Sequence, residues 1–164
     1  MDVVSAHNKG ITNVVASLGT AFTERQARLL QRQAKELILA YDMDTAGRQA
    51  TLRAMEIVRS LGLHIRVLVL ADGKDPDEYI NAHGPDAFKE ALQAAPGVLE
   101  YMLLTALKEY DADTLEGKSS ITASVMPALV QTDSAVVADA FMAKLAERLQ
   151  IDENAVRSEY NAYV

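Results

Sequence analysis

Leu37-Ile38-Leu39-Ala40-Tyr41-Asp42-Met43-Asp44 carries an apolar run straight into two aspartates one residue apart, and Thr45-Ala46-Gly47-Arg48 then opens a helical pattern. Side chains of a strand repeat every second residue, so Asp42 and Asp44 project to the same side where a buried strand runs out into solvent. Two carboxylates that close repel each other unless a cation lies between them, and hard oxygen ligands favour Mg2+ or Mn2+. The plainer reading makes Asp42 a loop residue and Asp44 the N-cap of the following helix. The rest of the chain decides between the two.

Working outward, helices and strands alternate over the first 80 or so residues. Asp2 to Lys9 reads as a short helix closed by Gly10, and Ile11 to Ala16 as a buried strand. Ser17-Leu18-Gly19-Thr20 reads as a tight turn. Thr23 with Gln26 forms a capping-box pattern opening a helix to about Lys35. Strand Leu37 to Tyr41 follows, then a helix from about Thr45 to Leu61 with Thr51, Ala54, Met55, Val58 and Leu61 on one face and Gly62 as its stop. Ile65, Val67 and Val69 then mark another strand. Strands separated by helices of this length predict an α/β fold with a parallel sheet, whose ligands bind at the carboxyl ends of the strands.

A second acidic pair follows that last strand, in Gly73-Lys74-Asp75-Pro76-Asp77-Glu78. Pro76 suits the first turn of a helix and Asp75 its cap, so a well-made helix start accounts for it taken alone. Position adds weight to a metal site. Two strand ends each present an Asp-x-Asp to one rim, and Asp2, at the start of the first helix, can join them. With bound divalent ions such a cluster becomes a site for phosphates.

Beyond Pro85 the pattern is helical. Asp86 to Ala95 reads as a short helix with Ala87, Phe88, Ala91 and Leu92 on its apolar side, broken by Pro96-Gly97. Val98 to Tyr110 is a strongly apolar helix, Asp111 to Gly117 a polar loop, and Lys118 to Gln131 a helix that Pro127 kinks or ends. Asp133 is the expected cap of a long helix with Val136, Val137, Ala140, Phe141, Lys144 and Leu145 near one stripe; Asp152 caps a last helix to about Tyr160. The expected division is therefore residues 1–95, α/β, and residues 96–164, a helical bundle. Nothing polar recurs on the apolar stripes, so the bundle reads as scaffold.

Composition narrows the classes. With 164 residues, about half of them apolar, the chain can build a real core. The absence of cysteine excludes disulfides, thiolate zinc and a cysteine nucleophile, and fits a reducing cytosol. His7, His64 and His83 are scattered, which disfavours a zinc site. No apolar run approaches the roughly 20 residues that span a bilayer, and no signal peptide opens the chain, so the reading is a cytoplasmic protein with no membrane partner. A net charge of −7 argues against a nucleic-acid binder held by a basic surface. Such a partner is then expected through bound cations or through further chain.

Asp42-Met43-Asp44-Thr45-Ala46-Gly47-Arg48, Asn13-Val14-Val15-Ala16-Ser17-Leu18-Gly19-Thr20-Ala21-Phe22-Thr23 and Gly73-Lys74-Asp75-Pro76-Asp77-Glu78, in this order and spacing, resemble the Toprim region of bacterial DNA primase over about residues 1 to 95. A lone Asp-x-Asp would suggest only the wider Toprim group of topoisomerases and recombination proteins. The resemblance implies a Toprim-type parallel sheet with flanking helices, and in the intact enzyme short RNA primers made on single-stranded DNA template from nucleoside triphosphates. It implies Asp42 and Asp44 as the catalytic metal-binding pair, Asp75 and Asp77 as a second acidic motif, and Asp2 as an auxiliary ligand. Lys74 and Arg48 are candidates for triphosphate oxygens beside solvated surface roles. Gly19 lets the backbone turn beside the site, with Asn13 and Ser17 as turn stabilisers.

In that family a Glu-Gly-Tyr normally precedes the stretch Met1-Asp2-Val3-Val4, with the glutamate at the end of the first Toprim strand. On this reading the chain lacks that strand, a zinc-binding module, a basic amino-terminal subdomain and a helicase-binding end. The expectation is weak binding of Mg2+ or Mn2+ and no primer synthesis by these residues alone. Zinc is expected only in the amino-terminal module, and the replicative helicase only through a carboxyl-terminal region beyond this chain. Other classes fit less well. Haloacid-dehalogenase phosphatases want Thr or Val two residues after the second aspartate, where Ala46 stands. Receiver domains draw acidic partners from an earlier strand that is not in the sequence. An inert metal-binding or interaction scaffold stays open.

Overall fold

A computed structural model describes residues 2–18, 21–41, 45–59, 61–70 and 75–164, apart from the Asp2 side chain. The chain divides into two compact units, Met1–Gly97 and Val98–Val164.

The first unit is built on a parallel strand pair. Strands β1 (Glu36–Leu39) and β2 (His64–Val67) pair with Glu36 opposite His64 and Leu39 opposite Val67. Lys35 O accepts from His64 N at 2.9 Å and Leu39 O from Leu68 N at 2.7 Å, extending the ladder at both ends. Strand alternation divides the apolar side chains between two helical layers. Leu37 and Ile65 face Ala27, Val58, Leu61 and Leu63, with helices α2 (Glu24–Gln31) and α3 (Thr45–Arg59). Ile38 faces the opposite cluster of Ala6, Ile11, Leu70, Ile80 and Phe88, with α1 (Asp2–Asn8) and α4 (Pro76–Gln93). This is the expected α/β arrangement.

Local chemistry sets the helix ends. Gly10 (φ 81°) closes α1, with Ile11 N donating to Ala6 O at 2.9 Å. Both halves of the Thr23–Gln26 capping box are present. Helix α2 stops at Gln31, earlier than expected, because Gln33 N and Ala34 N both turn back to Leu30 O before the chain enters β1. In α3, Thr51, Ala54 and Val58 are buried as predicted, and Gly62 turns the chain at φ 64°.

The expected strand over Ile11–Ala16 does not form. Ile11 is buried and then the alternation fails: Thr12 and Asn13 are both exposed, and Val15 is 68% exposed. A strand needs a neighbour's ladder. Here the Val14 carbonyl lies 3.0 Å from His7 Nε2, so a side chain takes the place of a strand neighbour.

The expected helix from Asp86 belongs to α4, which is kinked at Gly84 (φ 85°, ψ 167°) ahead of Pro85. A left-handed residue that glycine tolerates lets the two segments meet with little interruption. Pro96 O then accepts from Val67 N at 2.9 Å, and Gly97 bridges Arg66 in antiparallel fashion, so residues 96–97 cover the far edge of β2.

The second unit holds four helices, α5 (Val98–Glu109), α6 (Leu115–Leu129), α7 (Ala135–Leu149) and α8 (Glu153–Tyr163). Their core includes fully buried Tyr101, Met102, Val125, Leu129, Leu145 and Val156, each large side chain contributing roughly 1.5–3 kcal/mol by leaving water. Helix α6 begins earlier than expected, because Thr114 Oγ1 accepts from Gly117 N at 3.0 Å and caps it. Pro127 stands inside α6 close to its end at Leu129. The cap of α7 is Ser134, which accepts from Val137 N, and not Asp133. Its buried stripe is Ala138, Phe141, Met142, Leu145, Ala146 and Leu149. Val136, Val137, Ala140 and Lys144 of the expected stripe are exposed, and Lys144 pairs with Glu100. Asp152 caps α8 as expected, bonded to Asn154 N at 2.8 Å. Among the described residues no helix is long and apolar enough to cross a membrane.

Candidate metal centre and nucleotide site

Parallel pairing sends the carboxyl ends of β1 and β2 to one rim. Beyond β1 the chain passes exposed Ala40 and half-buried Tyr41 and is described again from Thr45, where α3 begins. Asp42, Asp44, Lys74 and Gly19 lie outside the described residues, as does the side chain of Asp2, whose backbone opens α1. Leu18, next to Ser17, has positive φ (55°) and is 88% exposed. Ser17 O accepts from Gln26 Nε2 at 3.4 Å, tying Ser17 to α2, while Asn13 is exposed.

The first turns of α3 are pinned from inside. Thr51 Oγ1 donates to Gly47 O at 2.9 Å in a buried position. Half-buried Arg48 donates from Nη2 to Thr45 Oγ1 at 3.2 Å, which holds the guanidinium over the first turn of the helix.

At the start of α4 the structure shows how the second acidic motif is held. Asp75 has extended backbone (φ −71°, ψ 163°), Pro76 stands in the first turn, and Asp75 Oδ1 accepts from Glu78 N at 2.7 Å. The cap predicted from sequence is therefore real. Asp77 Oδ1 accepts from Asn81 Nδ2 at 2.9 Å, one turn along. An ionised carboxylate offers about four lone-pair sites, so one hydrogen bond on each leaves capacity for a cation. Both donors are hard oxygens, which fits a magnesium-like ion and not zinc. Among the described residues no three acidic or histidine side chains cluster as a metal site, and that set does not contain Asp42 or Asp44.

Sequence reasoning overlooked Tyr41. Its phenol is half-buried, and burial pushes its pKa above the ordinary value of 10.0. The available signal was its place as the one polar-tipped residue closing an apolar strand.

Residues 1–80 match the Toprim-like family, and residues 99–154 match the DnaB-helicase binding domain of primase. The DNA primase of Clostridium acetobutylicum is 36% identical over 156 residues, covering 95% of this chain and 26% of that protein. The chain belongs to the DNA primase family. A DNA primase domain from Pseudomonas aeruginosa shares the fold with a TM-score of 0.69 at 32% identity, covering 98% of this chain and 51% of that one. A DnaG primase catalytic domain bound to single-stranded DNA aligns with a TM-score of 0.68 at 29% identity, over 94% of this chain and 50% of that one. This chain spans about a quarter of the length of the curated primases it matches. The helicase-binding match falls on residues 99–154, inside the chain, whereas the sequence reading put that contact beyond its end. The Toprim primase family is metal-dependent in general.

Proposed function

We propose that this chain is the metal-bearing part of an enzyme that makes short RNA primers on a single-stranded DNA template from nucleoside triphosphates. The supporting observation is the Toprim-like match over residues 1–80, a range that takes in Asp42, Asp44, Asp75 and Asp77 and the parallel strand pair.

Asp42 and Asp44 hold a divalent ion, Mg2+ or Mn2+, with Asp75 and Asp77 holding a further one and Asp2 assisting. When bound, such ions supply positive charge to the α-phosphate and the departing pyrophosphate and lower the pKa of the attacking hydroxyl. The ribose 3′-hydroxyl of the growing primer attacks the α-phosphorus of the incoming triphosphate, and pyrophosphate leaves in line with it. Lys74 and Arg48 draw in triphosphate oxygens by charge-assisted hydrogen bonds. Gly19 allows a close backbone turn beside the site, and Tyr41 keeps a neutral group next to the acid pair. The helical unit, through residues 99–154, meets a replicative helicase, and the protein works in the cytosol with the replication machinery.

Manganese titration of this chain, read by electron paramagnetic resonance, tests the site. Asp42→Asn with Asp44→Asn is expected to weaken binding by roughly tenfold or more while leaving far-UV circular dichroism unchanged. Unchanged manganese affinity would leave Asp44 as a helix cap and overturn the reading.

A further inference from the structure

The chain's net charge of −7 conceals a local reversal on α2. From Glu24 to Lys35 there are four cations, Arg25, Arg28, Arg32 and Lys35, against the single acid Glu24. Successive helical residues advance by about 100°, so Arg25, Arg28 and Arg32 share an arc of roughly 60°. That arc points away from buried Ala27, and Gln31 at its margin bonds Leu61 O through Nε2 at 2.6 Å. The three arginines with Glu24 and Leu29 line a shallow groove of about 400 Å³. Arg28 pairs with Glu24 at 2.5 Å and cancels its charge. Arg25 and Arg32 are exposed and make no ion pair among the described residues.

We infer that this face of α2 is a docking surface for the phosphate backbone of a double-stranded nucleic acid, primer paired to template. The identity of that duplex rests on the function proposed above; the charge geometry does not. Arg25 and Arg32 are separated by about 10.5 Å along the helix, over which one strand of a duplex presents about three phosphates. Guanidinium forks match the geometry of phosphate oxygens and can bond them in pairs. Single-stranded binding sites add aromatic side chains on which bases stack, and none lines this groove. Backbone contact without stacking selects a duplex, whose bases are already stacked on each other. The whole-chain charge misleads because phosphate contact depends on local density of Lys and Arg.

The test is fluorescence anisotropy of a labelled RNA–DNA hybrid with this chain in EDTA, from about 50 to about 200 mM salt, so that failure of the metal site cannot affect it. Arg25→Gln with Arg32→Gln is expected to weaken hybrid binding roughly fivefold or more and to reduce the slope of log affinity against log salt by about 1.8, two phosphate contacts' worth. Arg25→Lys with Arg32→Lys, which keeps both charges, should retain most of the affinity. Lys89→Gln with Arg148→Gln, exposed cations on other helices, should change it by less than about twofold. The inference is overturned if the wild-type chain fails to bind the hybrid at the lowest salt, or if the glutamine variant binds like wild type. Equal loss in the lysine variant, or equal loss of a single-stranded oligonucleotide of the same length, overturns it too. Manganese binding should be unaltered in every α2 variant, which separates this face from the carboxylate site.

Discussion

Arg66 on β2 reaches diagonally across the strand pair to Glu36 on β1, with Nη2 2.8 Å from Glu36 Oε1. The same guanidinium donates from Nη1 to Gln93 O at 3.0 Å and Ala95 O at 3.1 Å. One side chain thus joins both strands to the end of α4, where backbone carbonyls lack helical partners. The ion pair is partly exposed and contributes at most about 1 kcal/mol, while each carbonyl bond adds roughly 1 kcal/mol. Arg66 Nε, buried without a partner, offsets part of that gain. Arg66→Ala is expected to lower unfolding free energy by about 1.5 kcal/mol in urea titration, and Arg66→Lys to recover less than half, because an ammonium cannot serve three acceptors in a plane.

The Arg66 hydrogen bond also holds the Glu36 carboxyl below its ordinary value of 4.5, with weaker help from the Arg66 and His64 charges and some opposition from burial. A carboxyl whose folded pKa is lowered stabilises the fold above its unfolded pKa and loses that contribution as pH falls through the folded one. The stability difference between wild type and Glu36→Gln should therefore be constant above about pH 5.5 and shrink steadily below about pH 4.5. Denaturant midpoints measured across that range would contradict this if the gap widened on acidification.

Gly117, in the first turn of α6, has no room for a side chain. A Cβ there would overlap the Asp111 carbonyl oxygen and stand 2.8 Å from Thr114 Oγ1. The Asp111 carbonyl also accepts from Thr114 Oγ1 at 3.1 Å, so the whole cap of α6 would have to move. Alanine is a better helix former by about 1 kcal/mol, yet Gly117→Ala should destabilise by about 2 kcal/mol net, because displaced backbone outweighs propensity. Gly97→Ala, where nothing lies within 4 Å, should leave the melting temperature nearly unchanged.

Elements whose ends are fixed by local chemistry were legible in the sequence. Thr23 with Gln26, Asp75 with Pro76, and Asp152 each satisfy backbone donors within three residues, so spacing alone reveals them. Asp133 and Ser134 are both competent caps, and burial of Ala138, Phe141 and Leu145 sets the phase that selects Ser134, a tertiary matter. Ile11–Ala16 has strand-like content but its pairing depends on distant chain, which composition does not encode. The arginine face of α2 was hidden because charge summed over 164 residues averages away a local arc. At the candidate site, the cap role of Asp75 could be read from neighbours, whereas the half-buried state of Tyr41 needed the packed strand.

Asp75 serves as a cap, and its proposed second role as a metal ligand can be separated from the first by chemistry. Asparagine caps a helix about as well as aspartate, whereas alanine leaves the Glu78 N–H unsatisfied and typically costs about 1 kcal/mol. A divalent ion, by contrast, responds to the lost negative charge in either variant. Asp75→Asn should therefore keep the thermal midpoint near wild type while weakening manganese binding, and Asp75→Ala should lower both. Manganese affinity that tracked stability alone, falling in the alanine variant and holding in the asparagine one, would confine Asp75 to starting α4 and leave Asp77 as the member of that aspartate pair that meets a cation.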